Sequence, residues 1–227
     1  MSGRLYFDDV EPQVHNVYDV FLKPGCIFFD IGANVGLHSY YVSRKFEGSQ
    51  VYAFEPLPAN AAYIRSSIKL NNITNIILYE EAMADKKGIA FFDQSINNHQ
   101  GHISSEESAM SVTMTSLDIF ISETGIKPHF MKIDVEGGES LVMNGFRESI
   151  NTVQPVMIIE VHDIEQSDKM LAYFRPLNYK LCRIVHAAKG SGKYFRKIFL
   201  DKEDENVTGQ LVAIPAAVYS NYEKYIF

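Results

Sequence analysis

The sequence predicts an α/β fold with a mostly parallel sheet, on three observations. Short apolar, β-branched runs recur along the chain with helical stretches between several of them, the pattern of parallel strands joined by crossover helices. A glycine-rich turn, Gly32-Ala33-Asn34-Val35-Gly36, directly follows the first of these runs. The second run ends in an acid, Glu55, 19 residues beyond Gly36. At 227 residues and 46% hydrophobic composition the chain is long enough to bury a full core, so one α/β domain over 1–227 is expected, with 1–24 as an N-terminal extension.

Seven strands are expected, at 26–30, 50–55, 76–80, 130–134, 156–162, 179–185 and 210–214. Each is a short run of buried-strand composition bounded by polar or turn residues. Helices are expected over 36–46, 58–71, 138–144 and 167–174. Pro58 suits an early helical position, where the missing N–H goes unnoticed. Between the third and fourth strands, 88–93 reads as an extra strand. The polar stretch 94–109, rich in Ser, Asn, Gln, His and Glu, is a candidate lid loop or a disordered segment. Residues 112–115 then alternate like an edge strand, and Ser116 is placed to cap a helix over 117–122.

A net charge of −7 provides no overall basic field for nucleic acid or an anionic membrane surface. Residues 1–10 carry Asp8 and Asp9 without an apolar leader segment, and no run approaches 18 apolar residues, so no membrane span and a cytoplasmic location are expected. Cys26 and Cys182 each sit in an apolar strand-like run and read as small core residues rather than a disulfide or metal pair.

The turn and Glu55 together read as a nucleotide-cofactor site. Glycines let the backbone approach a ligand before a helix begins, and a carboxylate at the second strand's end can accept both hydrogen bonds of a ribose diol. The dinucleotide fingerprint is absent, because the spacing is Gly-x-Asn-x-Gly. Asp30, at the mouth of the first strand, would repel a pyrophosphate but attract the ammonium and sulfonium end of S-adenosylmethionine. Asn34 tolerates the left-handed backbone that a middle glycine usually supplies.

Four elements fall in order: Asp30-Ile31-Gly32-Ala33-Asn34-Val35-Gly36, Phe54-Glu55-Pro56, Ala82-Met83-Ala84-Asp85 and Lys132-Ile133-Asp134-Val135-Glu136-Gly137. On these the chain resembles the FkbM-type methyltransferases across roughly residues 25–163. The resemblance implies a class I methyltransferase, Rossmann-like fold: a mostly parallel seven-stranded sheet with a C-terminal antiparallel hairpin and helices on both faces. It also implies S-adenosylmethionine as cofactor, S-adenosylhomocysteine as product, and oxygen on a small-molecule, sugar or glycan acceptor. Carried onto this chain, Asp30, Gly32, Ala33, Asn34 and Gly36 would line the methionine end. Glu55 and Pro56 would stand at the ribose, and Glu81 and Ala82 beside the adenine, with Asp85 a second candidate there.

Methyl transfer needs alignment of oxygen, carbon and sulfur, and help for the hydroxyl in losing its proton. Period-two alternation places Lys132, Asp134 and Glu136 on one side of the fourth strand, and Glu160 and His162 on one side of the fifth. His162 is the first-choice base, since an ordinary imidazole titrates near neutral pH, with Asp134 as its orienter or as a contact to the methionine ammonium. A rival scheme uses a divalent metal on Asp134, Glu160 and Asp163. An ion pair of Lys132 with Glu160 is preferred to it, so no metal ligand is assigned.

His38 is expected to pack against the sheet. The pair His99 and His102 lacks a third fixed ligand and is assigned no site. Lys189-Gly190-Ser191-Gly192-Lys193 fails the phosphate-loop pattern, leaving a basic turn whose Lys193 and Arg196 are candidates to grip an acidic acceptor. Tyr40, Tyr41, Tyr219 and Tyr222 either line an acceptor pocket or pack. Two other classes stay in view: a non-catalytic S-adenosylmethionine-binding module of a biosynthetic assembly, and a NAD-dependent oxidoreductase, which the missing glycines disfavour. The acceptor and the oligomeric state stay open.

Overall fold

The central strand is apolar on both faces because helices cover both. In β1 (Ile27–Ile31), Phe28 packs into one buried cluster and Phe29 into another. The same alternation separates Val51 from Tyr52 in β2 (Gln50–Phe54), Phe130 from Met131 in β8 (Phe130–Ile133) and Ile158 from Ile159 in β9 (Val156–Val161). The computed structural model describes residues 11–93, 102–104, 110–185, 194–198 and 206–226.

One face carries α1 (Pro12–Phe21), α2 (Leu37–Lys45), α3 (Pro58–Leu70) and the short α8 (Ala216–Tyr219); their Tyr18, Tyr40, Ile64 and Tyr219 belong to the cluster of Phe28. The other carries α4 (Leu117–Thr124), α5 (Glu139–Asn144), α6 (Ile150–Val153) and α7 (Ile164–Phe174), whose Phe120, Val142, Ile150 and Met170 join Phe29. With β3 (Ile76–Tyr79), β10 (Tyr179–Ile184), β11 (Phe195–Lys197) and β12 (Gly209–Pro215), the main sheet runs β11-β10-β12-β9-β8-β1-β2-β3. Strands β3, β2, β1, β8 and β9 pair in parallel, whereas β12 pairs antiparallel with both β9 and β10. Strand order reverses between β1 and β8, which is where an open α/β sheet forms its ligand crevice.

The seven expected strands are all present, and β11 adds an eighth through antiparallel pairing with β10. A second sheet, β4-β7-β5-β6, is built from β4 (Ala82–Met83), β5 (Gly88–Asp93), β6 (His102–Ser104) and β7 (Met110–Thr115). Strand β7 therefore lies inside this sheet and not at an edge, because β4 and β5 pair on its two sides. Part of the candidate lid is strand β6; 94–101 and 105–109 lie outside the described residues. Ser116 caps α4 as expected, accepting from the Ile119 N–H at 3.2 Å. Helix α7 starts at Ile164, three residues early, because Asp163 Oδ1 caps it through the Gln166 N–H at 2.7 Å. Cys26 and Cys182 are free and buried.

The crossing from β1 to its turn is so close to the neighbouring strand end that only glycine fits. Gly32 has φ +76°, and a Cβ there would stand 1.8 Å from the Asp134 carbonyl oxygen. Gly25 has φ +74° but open space around it. Gly32→Ala is therefore expected to cost more than about 4 kcal/mol or to prevent folding, and Gly25→Ala only about 1–2 kcal/mol for the left-handed backbone. Urea unfolding of the two variants decides it: similar losses would show that the contact with Asp134 is not what the turn depends on.

Candidate active site

Three successive amides of the glycine turn grip the end of β2. Gly32 and Ala33 both donate to the Phe54 carbonyl at 3.0 Å, and the Asn34 N–H donates to Glu55 Oε2 at 2.8 Å. Asn34 has φ +52°, the conformation foreseen for the middle-glycine position. Glu55 Oε1 accepts from the Leu57 N–H at 2.9 Å and from Asn60 at 3.4 Å. Glu55 is only 4% exposed, and burial raises its pKa to about 7 against the pull of those donors. Ala33 is buried beside it and Pro56 half-buried; Gly36 caps α2 with φ +85°.

Asp30 is fully buried in β1. Its Oδ2 accepts from Ser39 Oγ at 2.6 Å, while Oδ1 has no hydrogen-bond partner among the described residues. Glu81 is half-buried just beyond β3, and Ala82 opens β4. Asp85 is exposed and lines a separate hollow with Lys86, Asp118 and Arg147, none of them a cofactor-site candidate.

Across the switch point the carboxyl ends of β8 and β9 gather charge. Lys132, 3% exposed, places Nζ 2.9 Å from Asp134 Oδ2. Burial pulls its pKa down, but Asp134 and then Asp30 outweigh that, and the net shift is upward. The lysine pairs with Asp134, not with Glu160 as expected, because Asp134 lies two residues beyond it on the same side of the chain. Beyond Asp134 the chain turns sharply through Glu136 (φ +50°) and Gly137 (φ +89°). This turn brings Glu136 Oε2 to 3.3 Å and Asp134 Oδ1 to 3.6 Å from His162 Nε2.

Behind the ring, His162 Nδ1 lies 2.5 Å from Glu139 Oε1, which also accepts from the Gly137 N–H at 3.0 Å. Glu139 is fully buried, and its Oε2 has no partner among the described residues. The hydrogen bond to Glu139 is the main reason that the His162 pKa rises to about 9, with partial burial opposing and Glu136 and Asp134 adding to the rise. The imidazole expected to titrate near neutral pH is thus shifted upward, which favours its protonated, donating form at pH 7 in the unliganded site. Glu139 was missed in the sequence. The signal was a third acid in Asp134-Val135-Glu136-Gly137-Gly138-Glu139, at the first turn of α5.

Asp163 leaves the rival metal trio of Asp134, Glu160 and Asp163, since its carboxylate caps α7. Glu160 remains close enough to Asp134 and Lys132 to feel both, with burial the main cause of its raised pKa. His38, expected to pack against the sheet, is buried with its Nδ1 3.1 Å from the Tyr18 hydroxyl of α1. Tyr40 and Tyr41 are core residues: Tyr40 donates to the Ile64 carbonyl, and Tyr41 stacks on His15 at 3.7 Å. Tyr219 is buried, and Tyr222 packs on Phe21. His99, the His102 side chain and 189–193, with Lys193, lie outside the described residues; Arg196 is exposed on β11.

Comparison with known proteins matches residues 30–181 to the methyltransferase FkbM domain model. The hexuronic acid methyltransferase AglP of Haloferax volcanii is 29% identical over 137 residues, covering 60% of this chain and 56% of that protein. The 31-O-demethyl-FK506 methyltransferase FkbM of Streptomyces tacrolimicus is 23% identical over 195 residues, covering 71% of this chain and 75% of that one. Among solved structures, SMU.1697c of Streptococcus mutans, in complex with S-adenosylhomocysteine, superposes with TM-score 0.52 at 12% identity, over 88% of this chain and 96% of that one. The chain thus spans little more than half the length of the first of these relatives.

Glu55 makes the site pH-dependent in a way that can be measured. Its folded-state pKa of about 7 lies above the ordinary 4.5, so the folded protein keeps a proton that the unfolded chain releases. Stability should fall as pH rises from 4.5 to 7, with the loss complete above 7. Denaturation of wild type and Glu55→Gln between pH 5 and 8 should show wild type losing stability relative to the variant across that window. Parallel curves would mean that burial does not perturb Glu55.

Proposed function

The chain belongs to the FkbM methyltransferase family, and from that premise we propose that it transfers a methyl group from S-adenosylmethionine to a hydroxyl of a sugar or other natural-product acceptor. The observation that carries the reading is the pairing of two features across one switch point: the glycine turn with Glu55 on the β1–β2 side, and the charged end of β8 and β9 facing it. The named acceptors of the relatives, a hexuronic acid and a 31-O-demethyl compound, favour oxygen as the target.

The residues present fit the cofactor. Asp30 Oδ1 is a buried acceptor without a donor among the described residues, as an ammonium group would require. The missing side chain at Gly32 admits the Asp134 carbonyl, which packs the turn against the end of β8 and brings Asp30 and Asp134 to one crevice. In this reading Asp30, Gly32, Ala33, Asn34 and Gly36 hold the methionine end, Glu55 and Pro56 the ribose, and Glu81 and Ala82 the adenine. When bound, S-adenosylmethionine supplies an electrophilic methyl carbon on a sulfonium.

Asp134, Glu136 and His162 receive the acceptor. Charged His162 donates a hydrogen bond to the incoming oxygen, and a carboxylate oxygen, Asp134 Oδ1 in the first place, takes the hydroxyl proton as the new O–C bond forms. Lys132 fixes Asp134 by its other oxygen, so the accepting atom is held in one place.

Calorimetric titration with S-adenosylhomocysteine, with NAD as control, tests the cofactor. Micromolar-range binding is expected, weakened at least tenfold in Glu55→Ala, with no response to NAD. That variant also strands two backbone amides, and a stability loss of roughly 2–4 kcal/mol should accompany it. With methyl-labelled cofactor and a panel of sugars and glycosides, Asp134→Asn should lose at least a hundredfold in turnover. Absence of S-adenosylhomocysteine binding to folded wild type would remove the methyltransferase reading.

A further inference from the structure

We propose that Asp134 Oδ1, Glu136 Oε2 and His162 Nε2 form a binding site for one first-row divalent cation, with Glu139 positioning the imidazole from behind. These three side chains each offer a ligand atom, and the atoms lie within 4.8 Å of one another. Their separations from Nε2, 3.3 Å and 3.6 Å, lie within a few tenths of an ångström of those that a shared ion imposes. Two donors each about 2.1 Å from one metal stand about 3.0 Å apart in cis octahedral geometry and about 3.4 Å apart in tetrahedral geometry.

The surroundings are arranged as a metal site requires. Metal-ligating histidines give their second nitrogen to a carboxylate, which sets the tautomer and aims the ligating lone pair. Glu139 does this at 2.5 Å from Nδ1, and it does so from a fully buried position, with a second oxygen that has no partner among the described residues. Burying a carboxylate behind an exposed ring stabilises little by itself; it is accounted for if the ring must be held in one orientation. Lys132 occupies Asp134 Oδ2 and leaves Oδ1 for a cation. Asp30, Asp134, Glu136 and Glu139 outnumber Lys132 here, so a doubly charged ion is not repelled.

One imidazole nitrogen and two carboxylate oxygens suit manganese, iron or zinc better than calcium or magnesium. Three protein ligands leave positions open for an acceptor hydroxyl and for an oxygen on the adjacent carbon, which singles out vicinal diols such as those of sugars. Bound there, the hydroxyl becomes more acidic. Its O–H bond breaks with the proton leaving to solvent, the oxygen forms the bond to the methyl carbon, and the S–CH3 bond breaks with its electron pair staying on sulfur. With the ion bound, His162 Nε2 has given up its proton and Asp134 Oδ1 is a ligand, so the ion replaces both in handling the acceptor hydroxyl; this use rests on the proposed methyl transfer, and the existence of the site does not.

The test is chelator-stripped full-length chain titrated with manganese chloride alone, followed by electron paramagnetic resonance of free manganese and by calorimetry. One ion per chain is expected, with zinc competing for it. Glu136→Gln and His162→Gln should each weaken binding at least tenfold, and Glu160→Gln should leave it within about twofold. Glu136 is partly exposed, so its variant keeps the test valid if His162→Gln does not fold. Absence of stoichiometric binding, or equal binding by wild type and both ligand variants, would show an ion-pair cage only and overturn the proposal. S-adenosylhomocysteine titration of the same preparations separates the two readings: metal binding without it removes the methyltransferase, and the converse removes the metal.

Discussion

A single buried lysine holds the working end of this sheet together. Lys132 and Asp30 are direct partners in the β1–β8 ladder, and Lys132 reaches forward to Asp134 where the strand ends. Burying an ammonium is costly, and it is sustained because carboxylates surround it, Asp134 and Asp30 foremost and Glu11 beyond them. The dependence runs both ways. Without Lys132, Asp30 and Asp134 would meet across the switch point as uncompensated charges, and the acids beyond them, Glu136 and Glu139, could not be gathered within a few ångströms of His162.

The opposite wall is tied by Glu55, and its ties make fold and ligand pocket one object. The carboxylate closes two backbone segments, at Asn34 and Leu57, that flank the turn after β1 and the entrance to α3. Any hydroxyl group that uses Glu55 must share oxygens already committed to those amides. If the cofactor binds through Glu55 as proposed, binding acts on the geometry of the glycine turn directly; the raised pKa of Glu55 expresses the same confinement.

What the sequence revealed of this architecture follows the range of the interactions. Period-two apolar alternation is local and strong, so the strands that carry Phe28, Tyr52, Met131 and Ile158 could be read from the chain. The glycine turn and Glu55 were legible because their spacing is set by one strand–turn–helix unit. Helix α1 was not. Its stripe of Val14, Val17, Tyr18 and Phe21 makes sense only against Phe28 and Phe130, which are distant in sequence. Strand β4 has two residues, too few for any pattern, and exists through pairing with Met114 and Thr115. At the site, His162 and Asp134 were visible by their place at strand ends. The role of Glu139 was not visible, because it depends on a left-handed turn at Glu136 and Gly137 that folds α5 back onto β9. The same turn explains why the metal-competent trio differs from the one inferred by alternation alone: alternation ends where the strand ends, at Ile133.

The distribution of charge has a consequence for catalysis that neither wall has alone. Transfer of a methyl group from a sulfonium discharges a cation, so acids close to the cofactor stabilise the reactant more than the transition state. In the proposed reading Asp30 and Asp134 favour binding of the cofactor while opposing its reaction. The opposition is relieved if positive charge stands where the acceptor oxygen becomes more negative, since that interaction grows along the reaction. Lys132 is on the wrong oxygen of Asp134 to do this directly. His162 Nε2, flanked by Asp134 Oδ1 and Glu136 Oε2, is at the right end. Whether that position is filled by an imidazolium proton or by a divalent ion, the requirement is the same: an acid-rich pocket that binds a sulfonium needs a cation facing it, and the β8 and β9 ends are built to hold one.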